Sequence, residues 1–150
     1  MYDIITNKAL LIPVTAWFIA QLLKVLLLLI RERRLDLWLL VRSGGMPSSH
    51  TALVCALATA VAIMQGLNSV AFAIAAILAA VVMYDAAGVR QAVSEQSIIL
   101  NRIMEEFFRR SRGEVERDLR EFIGHTPFQV YAGAVLGIFI AWLWLAISGV

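Results

Sequence analysis

Four short groups of residues carry side chains suited to holding phosphate and moving protons. Lys24 and Arg31 are seven residues apart, about two turns at 3.6 residues per turn, so both project from one helix face, and Gln21 extends that stripe. Gly44-Gly45-Met46-Pro47-Ser48-Ser49-His50 offers glycines that let backbone N–H groups approach a ligand, a proline suited to a first helical turn, two hydroxyls, and a histidine placed to give a proton. Tyr84-Asp85-Ala86-Ala87-Gly88-Val89-Arg90 brings an acid at the end of an apolar run close to an arginine through a turn at Gly88. Gly124-His125-Thr126-Pro127 holds the second of 2 histidines, ahead of an N-cap threonine and a proline at the first helical position.

This set of groups fits phosphoryl transfer, where positioning and charge stabilisation dominate. Lysine and arginine neutralise an anion, and glycine and serine amides cradle it. One histidine would attack phosphorus to form a phosphohistidine; the other would protonate the leaving alcohol and then activate water. Asp85 could orient the nucleophilic imidazole. Each group also has a plainer reading. Lys24 could snorkel to headgroups, the Pro-Ser-Ser-His run could be an ordinary helix cap, and Asp85 with Arg90 could be an interfacial ion pair. Gln96 and Asn101 are weaker candidates.

The elements that must position these groups follow from composition. The chain has 150 residues, 61% hydrophobic and 16% charged, against about 45 to 50% and about a quarter in an ordinary soluble domain. That is too little polar surface for a water-soluble globule of this size, so we expect a single integral membrane domain over 1–150. The lone Cys55 excludes an intrachain disulfide or a thiolate metal cluster. Net charge is +2, with arginines confined to segments beside apolar runs, which suits a membrane surface and not nucleic acid.

Ala9 to Ile30 is interrupted only by Lys24; Ser43 to Tyr84 carries no charged residue; Thr126 to Val150 is charge-free. A hydrocarbon core takes about 20 helical residues, so the central stretch holds two spans, divided by the polar turn Gln65-Gly66-Leu67-Asn68-Ser69. An all-α bundle of four transmembrane helices is expected, at about 9–30, 48–65, 68–85 and 127–148. Alternation is missing and a span must satisfy its own backbone, which excludes strands. The first apolar run lacks a basic n-region and cleavage site and is expected to be a true span. Arg31, Arg33, Arg34 and Arg42 in one loop, and Arg90 through Arg120 in another, place both loops in the cytoplasm. Within 88–124, Ile99, Ile103, Phe107 and Phe108, then Val115, Leu119 and Phe122, recur at helical spacing, predicting two amphipathic helices over the cytoplasmic face, either lying at the membrane interface or solvated and packed on the bundle.

Topology then brings the four groups together. With alternating directions, the end of helix 1, the start of helix 2, the end of helix 3 and the start of helix 4 share one side. The opposite turn has only Gln65, Asn68 and Ser69 as polar residues.

Lys24 with six residues to Arg31, Pro47-Ser48-Ser49-His50, and His125-Thr126-Pro127 followed by Ala132-Gly133 resemble the three motifs of the type-2 phosphatidic acid phosphatases, K-x6-R-P, P-S-G-H and S-R-x5-H-x3-D. The chain resembles a divergent branch of that acid phosphatase and vanadium haloperoxidase-related superfamily. The resemblance implies a metal-independent membrane phosphatase, without cofactor, in which His125 is the nucleophile and His50 the general acid. Departures accompany it: Glu32 stands where the motif has proline, Ser49 where it has glycine, Leu119 where it has arginine and Gln129 where it has aspartate. Asp85 is therefore expected to replace the missing acid, and Arg90 or Arg120 the missing arginine.

The expected activity is hydrolysis of a phosphomonoester or pyrophosphate on a phospholipid or polyprenyl lipid. Lys24, Arg31, Ser48, Ser49 and Arg90 would hold phosphate, and His125, His50 and Asp85 would perform the chemistry. The competing expectation is an inactive protein that binds, transports or assembles lipid phosphates. Localisation is expected in a bacterial cytoplasmic membrane with the active face cytoplasmic. Small residues Ala132, Gly133, Ala134 and Gly137 permit close helix packing, and a homodimer through that face is a further expectation.

Overall fold

Capping residues fix where each helix begins. A computed structural model describes residues 6–33, 45–88, 96, 98–100, 102–103 and 127–149, apart from the side chains of 31 and 32. Helix α1, Lys8–Glu32, opens on Asn7, whose side-chain oxygen accepts from the Ala9 amide at 3.0 Å. Helix α2, Ser49–Gln65, opens on Ser48 and closes at Gly66, whose φ of +85° suits a residue without a Cβ. Helix α3, Val70–Ala87, opens on Ser69: its hydroxyl oxygen accepts from the Phe72 amide at 3.1 Å and its hydrogen goes to the Gly66 carbonyl at 2.8 Å. The polar Gln65–Ser69 stretch is thus a tight, self-bonded turn. Helix α4 is Pro127–Ile147, with the proline at its first position, where a missing N–H costs nothing.

These bounds fall within about two residues of those expected. One local reading changes. Pro47 stands before the cap and not in the first turn of α2, because the Ser48 side chain does the capping. Thr126, the expected cap of α4, lies outside the described residues.

Helix α2 is the centre of the bundle. It packs on α1, α3 and α4; α1 also meets α4, and α3 lies at the edge against α2. The reason is a set of small side chains at four-residue spacing, which stack on one face of a helix. Along α2 the row is Ser48, Ala52, Ala56 and Ala60, every one fully buried, and along α1 it is Ile12, Ala16, Ala20 and Lys24. Along α4 it is Gly133, Gly137 and Ala141, all buried. A Cβ on Gly133 would strike the Ser48 carbonyl oxygen, and one on Gly137 the Ala52 carbonyl oxygen. The two backbones therefore touch, an arrangement that small residues permit between membrane helices.

This contact consumes the face through which a homodimer was expected: the Gly133 and Gly137 row is filled by α2 of the same chain. Two apolar clusters complete the interior. Ile12, Ala16, Ala56, Ala60, Ile140, Ala141 and Leu145 form the one away from the polar ends, and Val54, Cys55, Ala79 and Ala134 form the one joining α3.

The outward faces are apolar as well. On α3, Val70, Ile74, Ile77, Val81 and Tyr84 are each more than half exposed, as are Phe128, Tyr131, Val135 and Trp142 on α4. Such faces need a nonaqueous surrounding. The described structure is all-helical, and α1 (over Lys8–Ile30), α3 and α4 are long and apolar enough to cross a membrane. Helix α2 is a shorter apolar helix of 17 residues. Between α3 and α4, residues 96, 98–100 and 102–103 are helical, with Ile98, Ile99, Leu100 and Ile103 exposed. The second amphipathic stretch, with Val115, Leu119 and Phe122, lies outside the described residues.

Adding one methyl at Gly137 must push α4 off the α2 backbone. Gly137→Ala is expected to destabilise the detergent-solubilised protein by about 1 to 3 kcal/mol, the usual cost of overpacking. Val135→Ala on the exposed face should stay within about 0.5 kcal/mol. Unfolding of both variants monitored by circular dichroism checks this, and equal stabilities would contradict the close contact.

Candidate functional site

Buried polar side chains are costly unless bonded, so where they gather is informative. Among the described residues, those buried are Gln21, Lys24, Ser48, Ser49 and Thr51. All five lie at the end of the bundle where α1 finishes and α2 begins.

The cluster is built outward from the α2 cap. Ser48 is fully buried, and its backbone is fixed from two sides: its N–H donates to the Gln129 carbonyl at 3.0 Å and its carbonyl accepts from the Ala52 amide at 3.0 Å. The first contact ties the start of α4 to the start of α2. The Ser48 hydroxyl oxygen accepts from the Thr51 hydroxyl at 3.0 Å and from the Thr51 amide at 3.5 Å. Ser49, the first residue of the helix, is 1% exposed, and its hydroxyl oxygen accepts from the Lys24 ammonium at 3.2 Å.

Lys24 is 2% exposed and comes from α1, the fourth member of the row that begins at Ile12. Its ammonium points into the protein, so the snorkelling alternative fails: the side chain is spent on Ser49 and not on headgroups. The bond needs the hydroxyl of Ser49, which a glycine at this position would lack.

The arrangement favours an anion. Neither serine hydroxyl hydrogen has an acceptor among the described residues, while both oxygens accept. The first amides of α2 project from the helix N-terminus beside them. Hydroxyl hydrogens, helix-start amides and a buried ammonium are all donors, the equipment of a phosphate or carboxylate cradle.

The remaining candidates stand in three positions. His50 follows Ser49 directly but is exposed, and Asp85 is exposed in the last turn of α3. The Cys55 thiol meets the Met83 sulfur at 3.6 Å, so the last turns of α3 lie beside the first turns of α2, and Asp85 is at the same end as the cluster. Arg31 is in the final turn of α1. Its side chain, and all of Arg90, Arg120 and His125, lie outside the described residues. Gln129 is half-buried, and what it gives Ser48 is its main-chain carbonyl.

Thr51 was absent from the residues singled out in the sequence, although a signal was available. It stands three residues after the cap, the place from which a side chain reaches back to the capping residue.

The Divergent PAP2 family matches residues 5–140, a stretch that includes every residue of the cluster. The uncharacterized membrane protein YuiD of Bacillus subtilis (strain 168) is 38% identical over 148 residues, covering 92% of this chain and 94% of its own. No solved structure matches. From a match that reaches into all four helices, together with a membrane relative of nearly the same length, the chain is a membrane protein and belongs to the Divergent PAP2 family.

Proposed function

We propose that this protein is a lipid-phosphate phosphatase, hydrolysing a phosphomonoester or pyrophosphate on a lipid tail at the cytoplasmic face of a bacterial membrane. The observation that carries the reading is the ammonium of Lys24, 2% exposed and bonded to Ser49 beside two buried hydroxyl donors. An ionisable group inside a span marks a functional site by default, and here it faces a helix N-terminus suited to an anion. The family relationship supplies the phosphatase precedent.

In this reading all four apolar helices span. Helix α2 manages with 17 residues, about 25 Å at 1.5 Å per residue, because it is surrounded by its neighbours and its polar start opens into the interface. The lipid tail stays in the bilayer while the headgroup phosphate enters the cradle. Arg31 and Arg90 complete the charge around it.

The reaction runs in two displacements. The His125 imidazole attacks phosphorus, the bond from phosphorus to the lipid oxygen breaks, and the His50 imidazolium gives that oxygen its proton. Water then attacks the phosphohistidine, giving its proton to His50; the phosphorus–nitrogen bond breaks and inorganic phosphate leaves. Lys24, Ser48 and Ser49 hold the nonbridging oxygens, whose charge must be stabilised throughout. His125 lies four residues before Gln129, whose carbonyl holds Ser48. Asp85 orients the nucleophilic imidazole in place of the carboxylate that Gln129 lacks.

A second reading rests on that same Gln129, and on Leu119 where the family motif has arginine: the cradle would bind a lipid phosphate without turning it over, as a transport or assembly protein does. Phosphate release by detergent-purified protein from a panel of lipid phosphates, with chelator present, separates the two. Release that survives chelator is expected. His125→Ala should abolish it, and Lys24→Met or Asp85→Asn should lower kcat/KM by about 100-fold, the scale of one lost transition-state contact. Binding without release by the wild type would establish the second reading.

Orientation has its own check. In a Cys55→Ala background, Asn68→Cys in the α2–α3 turn is expected to react with a membrane-impermeant maleimide in intact cells. Gln96→Cys should react only after permeabilisation, and the reverse pattern would put the cradle on the outer face.

A further inference from the structure

The Ser48 hydroxyl is bonded in an unusual way for a helix cap. A capping serine ordinarily accepts one amide N–H and leaves its oxygen with spare acceptor capacity. Here the same oxygen also accepts the Thr51 hydroxyl at 3.0 Å, in addition to the Thr51 amide at 3.5 Å. A hydroxyl oxygen has two acceptor sites and one hydrogen, so both sites are filled by Thr51. The hydrogen is then left to point elsewhere, and no described residue accepts it.

Both partners are fully buried, so water does not compete for these bonds. Ser48 is also immobile at its backbone, held by Gln129 and Ala52. The hydroxyl rotor is the one freedom the residue retains, and the Thr51 hydroxyl removes it.

We propose that Thr51 is a positioning residue which locks the Ser48 hydroxyl as an obligate donor to a phosphate oxygen. The inference rests on the anion-binding reading of the cradle and goes beyond it: Thr51 touches no ligand and acts through Ser48. A serine whose acceptor sites are already filled suits an oxyanion oxygen that can only accept, as on sulfate and the unprotonated oxygens of inorganic phosphate. Thr51→Val keeps the shape and loses the hydroxyl. The Ser48 oxygen then has a vacant acceptor site, its rotor is free, and part of its population no longer donates to the anion.

The test is binding of inorganic phosphate and of sulfate to the full-length, detergent-purified protein by titration calorimetry. Thr51→Val is expected to weaken both by about tenfold, the scale of a hydrogen bond to a charged group, and Thr51→Ser to restore both. Ser48→Ala should show a similar loss, and the Ser48→Ala/Thr51→Val double variant should bind no worse than Ser48→Ala alone, because coupled residues are non-additive. Losses that add, or a Thr51→Val protein that binds like wild type while Lys24→Met does not bind, would overturn the positioning role and leave the cradle standing. Wild-type protein that takes up neither anion, or Lys24→Met protein that binds both unchanged, would overturn the cradle and the inference with it. Should Thr51→Val fail to fold, as judged by circular dichroism, Thr51→Ala takes its place in the same cycle.

Discussion

The approach of α4 to α2 at Gly133 and Gly137 sets the geometry on which everything else depends. With no Cβ at either position, the α2 carbonyls of Ser48 and Ala52 rest directly against the α4 backbone. In a bilayer the hydrophobic effect does not drive helices together, and packing contacts of this kind take its place. The same approach allows the Gln129 carbonyl to reach the Ser48 amide. A loop residue ahead of a helix is thereby anchored from a neighbouring helix, and the cap becomes a fixed platform.

Lys24 is built onto that platform. Its burial would be expensive by itself, since an ammonium in a low-dielectric interior loses its hydration. Row packing explains how it comes to be there: Ile12, Ala16 and Ala20 lie against the bundle, and the next residue four positions on must face the same way. The helix that seats three apolar residues in the core necessarily seats the lysine at its end. Ser49 then meets it with a hydroxyl oxygen at 3.2 Å. Stability and function are separable along one stripe, with the apolar part holding α1 in place and the last member delivering charge.

Much of this was legible in the sequence because membrane helices announce themselves by what they lack. The absence of charge from Ser43 to Tyr84 and from Thr126 onward, broken by one polar turn, placed the helix bounds closely. Convergence of Lys24 with Ser48 and Ser49 followed from alternating directions. Other features were not readable. Whether Lys24 turns inward depends on which face of α1 packs, and a helix this apolar all round carries little amphipathic signal to tell. The partner of the Gly133 and Gly137 row was equally hidden, because a small-residue stripe fits a second helix of the same chain as well as one from a second copy. Thr51 escaped notice since its hydroxyl matters only once Ser48 is known to be both cap and fully buried.

Gln129 shows how a main-chain contact can hold a site together whatever the side chain. Gln129 holds Ser48 through its main-chain carbonyl, and every L-residue has that carbonyl. A change of side chain at position 129 therefore leaves this main-chain contact available. Ser49 is the complementary case: its side-chain hydroxyl engages Lys24 directly. The two residues act in different ways, one through its main chain and the other through its side chain. The side chain at 129 can change without loss of either contact, so the Lys24, Ser48 and Ser49 cluster is the part on which both the proposed phosphatase reading and the proposed binding reading are built.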